Sequence, residues 1–238
     1  MEKILHPEAT RGTANYGWLQ AKYSFSFSNY FDPNRTQFGV LRVLNDDVVA
    51  PAMGFGTHPH KNMEIVTIPQ FGGVKHRDSM GNEGVVPTGD IQVMSAGSGV
   101  EHSELNASSS EALKLFQIWI FPDTENVTPR YDQRPIKDML APNAFSAVVK
   151  PKSVAKENEL WIHQDAYFNI GEFTEDTTTT YHLNSPGHGI YMLVIEGNAA
   201  VDDDVLGSRD AIGIWNTDRV SVAVTKNSRV LLIEVPMN

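Results

Sequence analysis

Short apolar segments recur along the chain, and most have the length and composition of β-strands. They are rich in valine, isoleucine and aromatic residues, and several alternate apolar with polar positions, as half-buried strands do. Turns containing glycine or proline separate them. In the first half we predict strands over residues 40–44, 64–68, 91–94 and 115–120. Evenly spaced short strands of this kind predict an all-β sandwich or barrel, and the only helical piece we expect is a short one near residues 136–140.

The pattern changes between residues 126 and 152, where prolines and mixed charges replace the apolar runs. Strand-like segments then return over residues 160–163, 191–195, 211–215 and 230–235. We therefore predict an N-terminal domain over residues 1–130, an irregular linker over 131–152 and a C-terminal domain over 153–238. The turn before Ile91 resembles the turn before Ile212, which hints at an internal duplication. The threonine tract 177–180 is expected at an exposed edge or loop.

Composition excludes several classes of protein. Cysteine is absent, which rules out disulfide scaffolds, thiolate metal sites, iron–sulfur clusters and cysteine nucleophiles, so any metal must be bound by His, Asp, Glu or water. Lys and Arg number 19 against 29 Asp and Glu, a net charge of −10, which argues against direct nucleic-acid binding. The first residues lack the apolar core of a signal peptide, and no apolar run of ~18 residues occurs. We expect a cytoplasmic protein without membrane association.

Two pairs of potential metal ligands, which together contain three histidines and one glutamate, carry the candidate chemistry. His58 and His60 are two residues apart, and so are His102 and Glu104. Residues i and i+2 of a strand point to the same face, so each pair projects together if it lies on a strand. Two such pairs on adjacent strands can converge on one point. Three imidazoles and one carboxylate would bind a divalent metal and leave positions for water or substrate.

Other interpretations of the polar residues stay open at this stage. The paired histidines could be surface residues of glycine-rich turns. Glu64 is an even number of residues from His58 and His60, so on one regular strand it would point to the same face. It could therefore replace Glu104 as the carboxylate ligand. His76 and Asp78 could form a hydrogen-bonded pair near the site or a structural feature of a hairpin. Three further histidines have no partner at strand spacing and are interpreted as surface or core polar groups: His163, His182 and His188.

At these residues the sequence resembles the pirin family, a branch of the cupin superfamily. The similar segments are residues 54–60, 76–82 and 94–104, together with the opening residues 11–30 and the segment 117–131. The resemblance implies a bicupin, in which two antiparallel jelly-roll β-barrels pack face to face. It implies metal ligation by His58, His60, His102 and Glu104 in the N-terminal barrel. The second barrel has no His-X-His pair in its corresponding strand and is expected to bind no metal.

The resemblance also implies an activity. Pirin-like proteins of this kind act as quercetin 2,3-dioxygenases, which open the flavonol ring with O₂ and release carbon monoxide. One divalent metal ion would be required, Fe(II) first, with Cu, Ni, Mn, Zn or Co as other choices. Glu104 would be the catalytic base that accepts the proton of the substrate hydroxyl. The alternative is a metal-dependent binding or regulatory protein, a transcriptional cofactor or a modulator of a metabolic enzyme. We expect a monomer whose partners are a flavonol and O₂, with a protein partner left open.

Overall fold

The computed structural model describes residues 1–237 and consists almost entirely of β-strands. The described residues contain no α-helix, only two short 3₁₀ helices at Glu8–Thr10 and Lys137–Met139. The all-β prediction is confirmed, and the second 3₁₀ helix lies where a helical piece was expected. No helix in residues 1–237 is long and apolar enough to cross a membrane.

Residues 1–237 contain twenty-two strands. The first twelve are β1 (Glu2–His6), β2 (Gly12–Asn15), β3 (Leu19–Tyr23), β4 (Leu41–Val49), β5 (Gly54–His60), β6 (Glu64–Phe71), β7 (Gly73–Asp78), β8 (Glu83–Pro87), β9 (Asp90–Ser95), β10 (Val100–Asn106), β11 (Leu113–Ile120) and β12 (Arg130–Pro135). The remaining ten are β13 (Phe145–Pro151), β14 (Leu160–Ile162), β15 (Tyr167–Phe173), β16 (Thr177–His182), β17 (His188–Glu196), β18 (Ala199–Val201), β19 (Asp204–Leu206), β20 (Ala211–Trp215), β21 (Arg219–Val224) and β22 (Ser228–Pro236).

The strands form four sheets, two in each half of the molecule. The N sheet has the order β12-β9-β6-β11-β4-β3-β2, and the N small sheet has the order β5-β10-β7-β8. The C sheet has the order β1-β20-β17-β22-β15-β13-β14, and the C small sheet has the order β16-β21-β18-β19. Within each half the large and small sheets share one apolar cluster, so they face each other as a sandwich. Among the described residues, strand pairing does not run continuously between the two sheets as it would in a closed barrel.

The two halves repeat one topology. Strands β4–β11 occupy the same positions in their two sheets as β15–β22 do in theirs. The outer strands differ, because β2 and β3 pair antiparallel whereas β13 and β14 pair parallel. Asp90 and Asp210 stand at the starts of β9 and β20, which occupy the same position in the two large sheets. The similar turns seen in the sequence therefore lie at equivalent places in the fold.

Strand pairing departs from the predicted division of the chain. β1 pairs with β20 and so belongs to the C sheet, although it begins the N-terminal half. The segment predicted as an irregular linker contains β12, which pairs with β9, and β13, which pairs with β15. Proline is tolerated there because it occupies strand ends, at Pro135 and Pro151. The tract at Thr177 belongs to β16, an edge strand as expected.

The largest core lies between the two large sheets. Alternate residues of β11, such as Phe116, Ile118 and Ile120, pack there against Ile233 and other apolar residues of the C sheet. The strands are antiparallel apart from the pair β13–β14, and their two-residue repeat turns the intervening residues to the opposite face. On β11 this opposite face presents Gln117 to the interior of the N-terminal sandwich. This interior contains the candidate site.

Candidate metal centre

The candidate ligands lie on two neighbouring strands, as the sequence predicted. β10 pairs with β5 in antiparallel register, and His102 lies directly opposite His58. His60 follows on the same face of β5. Beyond His102 the register shifts at a bulge, so Glu104 lies opposite Phe55. The extra residue of this bulge lies on β5, between Phe55 and His58, whereas β10 pairs with β7 without a shift, so Glu104 keeps the face of His102.

The three histidine rings form one compact cluster. Ring centres are 4.9 Å apart for His58 and His60, 4.5 Å for His58 and His102, and 4.9 Å for His60 and His102. One nitrogen from each ring lies within 4.8 Å of the others. Burial, reinforced by the neighbouring imidazoles, lowers the pKa of His60 to about 4 and that of His102 to about 3. These two rings are therefore neutral near pH 7, the form in which imidazole binds a metal.

Hydrogen bonding leaves ring nitrogens of the cluster available to a ligand. Nδ1 of His58 lies 2.7 Å from the carbonyl oxygen of Gly56, to which it can donate, leaving Nε2 with its lone pair. Both ring nitrogens of His102 are buried and have no hydrogen-bond partner among the described residues. Because a buried polar atom without a partner is costly, this donor set fits a metal ion.

Glu104 lies beside the histidines but not in the same group. It forms a second potential metal-binding group with His76 and His102. Its Oε2 accepts a hydrogen bond from Nε2 of Gln117 at 2.5 Å, and its Oε1 is 3.1 Å from the hydroxyl of Thr67 and 3.3 Å from Nε2 of Gln92. These donors hold the buried carboxylate in one orientation.

Sequence reasoning missed the residues that hold Glu104. Thr67, Gln92 and Gln117 come from three adjacent strands of the N sheet and are all buried. A signal was present, because each is a polar residue with an apolar neighbour on both sides in its strand. Asp47 of β4 is also buried and lines the same pocket. Its pKa is raised to about 8 by burial and by the nearby carboxylates Asp46 and Glu104.

His76 and Asp78 form the hydrogen-bonded pair considered from the sequence. Nε2 of His76 lies 3.1 Å from Oδ2 of Asp78, and both side chains are fully buried. The His76 ring stacks on Tyr131 at 4.6 Å and lies 5.5 Å from the ring of His102. The pair lies at the end of a hairpin and also borders the site, so both interpretations hold.

Glu64 is not at this site, although its even spacing from His58 and His60 would place it on the same face of a continuous strand. β5 ends at His60, Asn62 adopts a positive φ of 49°, and Glu64 begins a strand of the other sheet. There its Oε2 accepts a hydrogen bond from the hydroxyl of Ser95 at 2.7 Å. Burial raises the pKa of Glu64 to about 7 although that hydrogen bond favours the charged form. The alternation of one strand does not apply to Glu64, because the strand is interrupted between His60 and Glu64.

His188 is a core polar group, one of the two interpretations offered for it, and its partners are distant in sequence. Its Nδ1 is 2.8 Å from Oε1 of the buried Glu234, and its Nε2 is 3.3 Å from Oδ2 of Asp165. The pairing of β17 with β22 brings Glu234 beside it, and Asp165 precedes β15, which pairs with the other side of β22. His182 is exposed, and His163 is partly buried beside Trp161. None of the three joins a potential metal-binding group within the described residues.

The C-terminal sandwich has apolar residues where the N-terminal one has ligands. β21 is the counterpart of β10, and its inward positions are Val220, Val222 and Val224. All three belong to the apolar cluster of that sandwich. Their side chains offer no ligand atom at the places corresponding to His102 and Glu104.

A pocket with a cavity volume of about 170 Å³ opens beside the histidine cluster. His58, His60 and Glu104 form part of its wall, and Asp47 and Gln117 add polar groups. The rest of the lining is mostly apolar and aromatic: Leu19, Tyr23, Phe27, Phe55 and Trp119. A concave site with aromatic walls and convergent polar groups is typical of a small-molecule site.

Comparison with known proteins gives the family. The pirin family profile matches residues 6–120, and that of the quercetinase C-terminal cupin domain matches residues 151–235. This chain belongs to the pirin family. Quercetin 2,3-dioxygenase of Escherichia coli K12 is 41% identical over 226 residues, or 95% of each chain. A pirin-like protein of Caulobacter vibrioides is 36% identical over 94% of this chain and 95% of its own.

Solved pirin structures share the whole fold. The crystal structure of YhhW from Escherichia coli has a TM-score of 0.93 at 39% identity, and covers 100% of this chain and 99% of that one. YhhW has also been solved in complex with nickel(II), with a TM-score of 0.92 at 39% identity over the full length of both chains. The expected two-domain cupin architecture of this pirin is thereby confirmed. A relative that binds a divalent metal agrees with the histidine cluster described above.

Proposed function

We propose that this pirin is a metal-dependent dioxygenase that opens the ring of flavonols such as quercetin with O₂ and releases carbon monoxide. The observation that carries this proposal is that His58, His60 and Glu104 line one pocket with aromatic walls, and that His102 joins the two pocket histidines in one cluster. The relatives named quercetin 2,3-dioxygenase support the same substrate class.

We propose His58, His60 and His102 as ligands of one divalent metal, with Glu104 as the fourth. When bound, such a metal supplies Lewis acidity and, if redox-active, a path for electrons between an enolic substrate and dioxygen. Fe(II) is our first choice. Nickel gains support from the YhhW complex, and Cu, Mn, Zn and Co also suit mixed nitrogen and oxygen ligands.

Glu104 has the position expected of a general base. A flavonol must lose the proton of its enolic hydroxyl before its ring can react with dioxygen. The carboxylate of Glu104 lines the pocket and is fixed by Gln117, Gln92 and Thr67. A base held in one orientation can accept this proton without first reorganising.

The aromatic residues of the pocket suit a flat polyphenol. The ring of Trp119 meets that of His60 edge-on at 4.9 Å and that of Phe27 at 5.4 Å, so its orientation is fixed. Phe55 packs edge-on against Trp18 at 5.3 Å. Such walls favour the rings of a flavonol over a sugar or a charged metabolite, because they offer apolar surface and few hydrogen-bonding groups.

The decisive experiment combines metal analysis with turnover. Protein purified without chelator or added metal is analysed for its metals, and oxygen consumption and carbon monoxide release are then measured with quercetin. Many turnovers per metal, with equal amounts of O₂ consumed and CO released, would support the proposal. Metal-dependent capture of a protein partner without turnover would instead support a binding or regulatory protein.

A cytoplasmic location and a monomeric state remain predictions.

A further inference from the structure

A second polar cluster lies where the chain crosses from one half of the molecule to the other. β1 belongs to the C sheet and β2 to the N sheet, and Arg11 lies in the short connection between them. The side chain of Arg11 is buried, with the whole residue only 4% exposed. None of its three guanidinium nitrogens has a hydrogen-bond partner among residues 1–237.

Arg11 also lacks an ion pair. No carboxylate oxygen of the described residues lies within 4.0 Å of its guanidinium nitrogens. The nearby Asp46 is already engaged by Arg209, whose Nε lies 3.3 Å from Oδ2 of Asp46. Glu8 is paired with Lys22 at 2.9 Å. Arg11 and Arg209 therefore place two positive charges near a single carboxylate, and burial makes this excess expensive.

Other unpartnered polar atoms surround Arg11. Nδ1 of His6 lies 3.0 Å from the hydroxyl of Tyr191, whereas its buried Nε2 has no partner. Ser24, which is 1% exposed, lies next to the same hydroxyl, and Arg209 has a buried Nη1 without a partner. Arg11 interacts electrostatically with both Tyr191 and Arg209. The molecule thus gathers several hydrogen-bond donors in one buried place with an excess of positive charge.

We propose that a small monovalent inorganic anion, represented by chloride, binds at Arg11 between the two halves of the molecule. An arginine keeps its charge in a protein, so the buried positive charge of Arg11 must be balanced by a negative partner rather than removed by loss of a proton. The low exposure of Arg11, Ser24 and Tyr191 excludes bulky anions and polymeric ligands. The anion would accept hydrogen bonds from donors that follow β1 and from donors in the loop before β20. It would thereby stabilise the attachment of β1 to the C sheet.

The test is the dependence of stability on the identity of the anion at constant ionic strength. Thermal unfolding of the wild-type protein is measured while sodium gluconate is replaced stepwise by sodium chloride or bromide. We expect the melting temperature to rise with the logarithm of the halide concentration above Kd, by about 3–6 °C at roughly ten times Kd, with either halide. Equal melting temperatures in gluconate and halide would overturn the proposal, as would a rise with acetate but not with chloride.

Substitutions assign the effect to Arg11. Arg11→Met should abolish the response to halide and, in gluconate, should be at least as stable as the wild type, because the buried unpaired charge is gone. The matched control, Arg219→Met, removes an exposed arginine and should keep the full response. An equal loss of stability in both salts with Arg11→Met would contradict an anion site.

A direct measurement covers the case in which Arg11→Met does not fold. Wild-type crystals grown in bromide should show an anomalous peak within hydrogen-bond distance of the Arg11 guanidinium. A fully ordered Arg11 without such a peak would overturn the proposal.

Discussion

The geometry around Glu104 separates two roles that one carboxylate can have. The three histidines form their own cluster without it, whereas Glu104 is fixed by amide and hydroxyl donors of the N sheet. Metal retention and proton transfer should therefore respond differently to substitution at this residue.

Glu104→Gln should keep much of the metal, because His58, His60 and His102 remain. Flavonol turnover should fall ~10²–10⁴-fold, the range typical of losing a general base. Turnover and metal content are measured on the same preparation. Glu101→Gln, which changes the exposed carboxylate of the same strand, is the control and should leave both unchanged. Wild-type turnover in Glu104→Gln with full metal would exclude Glu104 as the base.

Asp47 should make the stability of the metal-free protein depend on pH. Its pKa is raised from an ordinary value of 3.8 to about 8. Between these values the folded state holds a proton that the unfolded state lacks, so the free energy of unfolding should fall as pH rises, by at most about 1.4 kcal/mol per pH unit. Below this window both states are protonated, and the full contribution is present.

Asp47→Asn removes this titration. Relative to the wild type, its free energy of unfolding should rise steadily from pH 5 to pH 8, as measured by urea denaturation of metal-free protein. The exposed Asp218→Asn serves as the control. Parallel pH profiles for Asp47→Asn and the wild type would show that Asp47 is ionised in the folded state.

At the scale of the elements, the turn before β10 places the ligand strand. Gly97 has a φ of 48°, and a Cβ there would come within 2.0 Å of the carbonyl oxygen of Val127. The carbonyl oxygen of Gly97 also accepts a hydrogen bond from the amide of Asn62, so the turn joins the ends of β5 and β10.

Gly97→Ala should therefore destabilise the protein by about 2–4 kcal/mol and weaken metal binding, because the backbone of both ligand strands must shift. Gly81→Ala is a matched control, since Gly81 also has a positive φ, of 94°, but no atom near the position of a Cβ. It should cost only the strain of the left-handed backbone, about 1 kcal/mol. Equal losses in the two variants, measured by urea denaturation, would show that the contact with Val127 is unimportant.

These elements also show how far the sequence alone could go. His58 and His60 were predictable because one strand's alternation is a local property. Glu64 misled because the break at Asn62 left no clear signal in the hydrophobic pattern. The partner of His188 lies 46 residues away, on a strand that pairs only in the folded sheet. The direction of a side chain could be predicted where the alternation of its own strand determines it. The contacts of a side chain could not be predicted where they depend on pairing between strands that are distant in sequence.

At the scale of the whole molecule, the repeated topology does not extend to the chemistry. We predict one metal per chain, because the C-terminal counterpart of β10 presents valines to its interior. His102→Ala should then bring the metal content close to zero, as measured by elemental analysis, since the metal loses its most buried ligand. The matched variant His182→Ala, at an exposed histidine of the C-terminal half, should keep the full content. Two metals per chain, or a metal that stays in His102→Ala, would contradict a single N-terminal centre.

The pairing of β1 with β20 has a consequence for biosynthesis. During synthesis β1 must wait for a strand that begins at residue 211 before it can pair. The N sheet can be completed by β12 well before that point. Domains generally fold in the order in which they are synthesised, and contacts between distant residues form slowly. The nascent N-terminal half can therefore assemble early while β1 is still unpaired, and the pairing of β1 with β20 is a late step of folding.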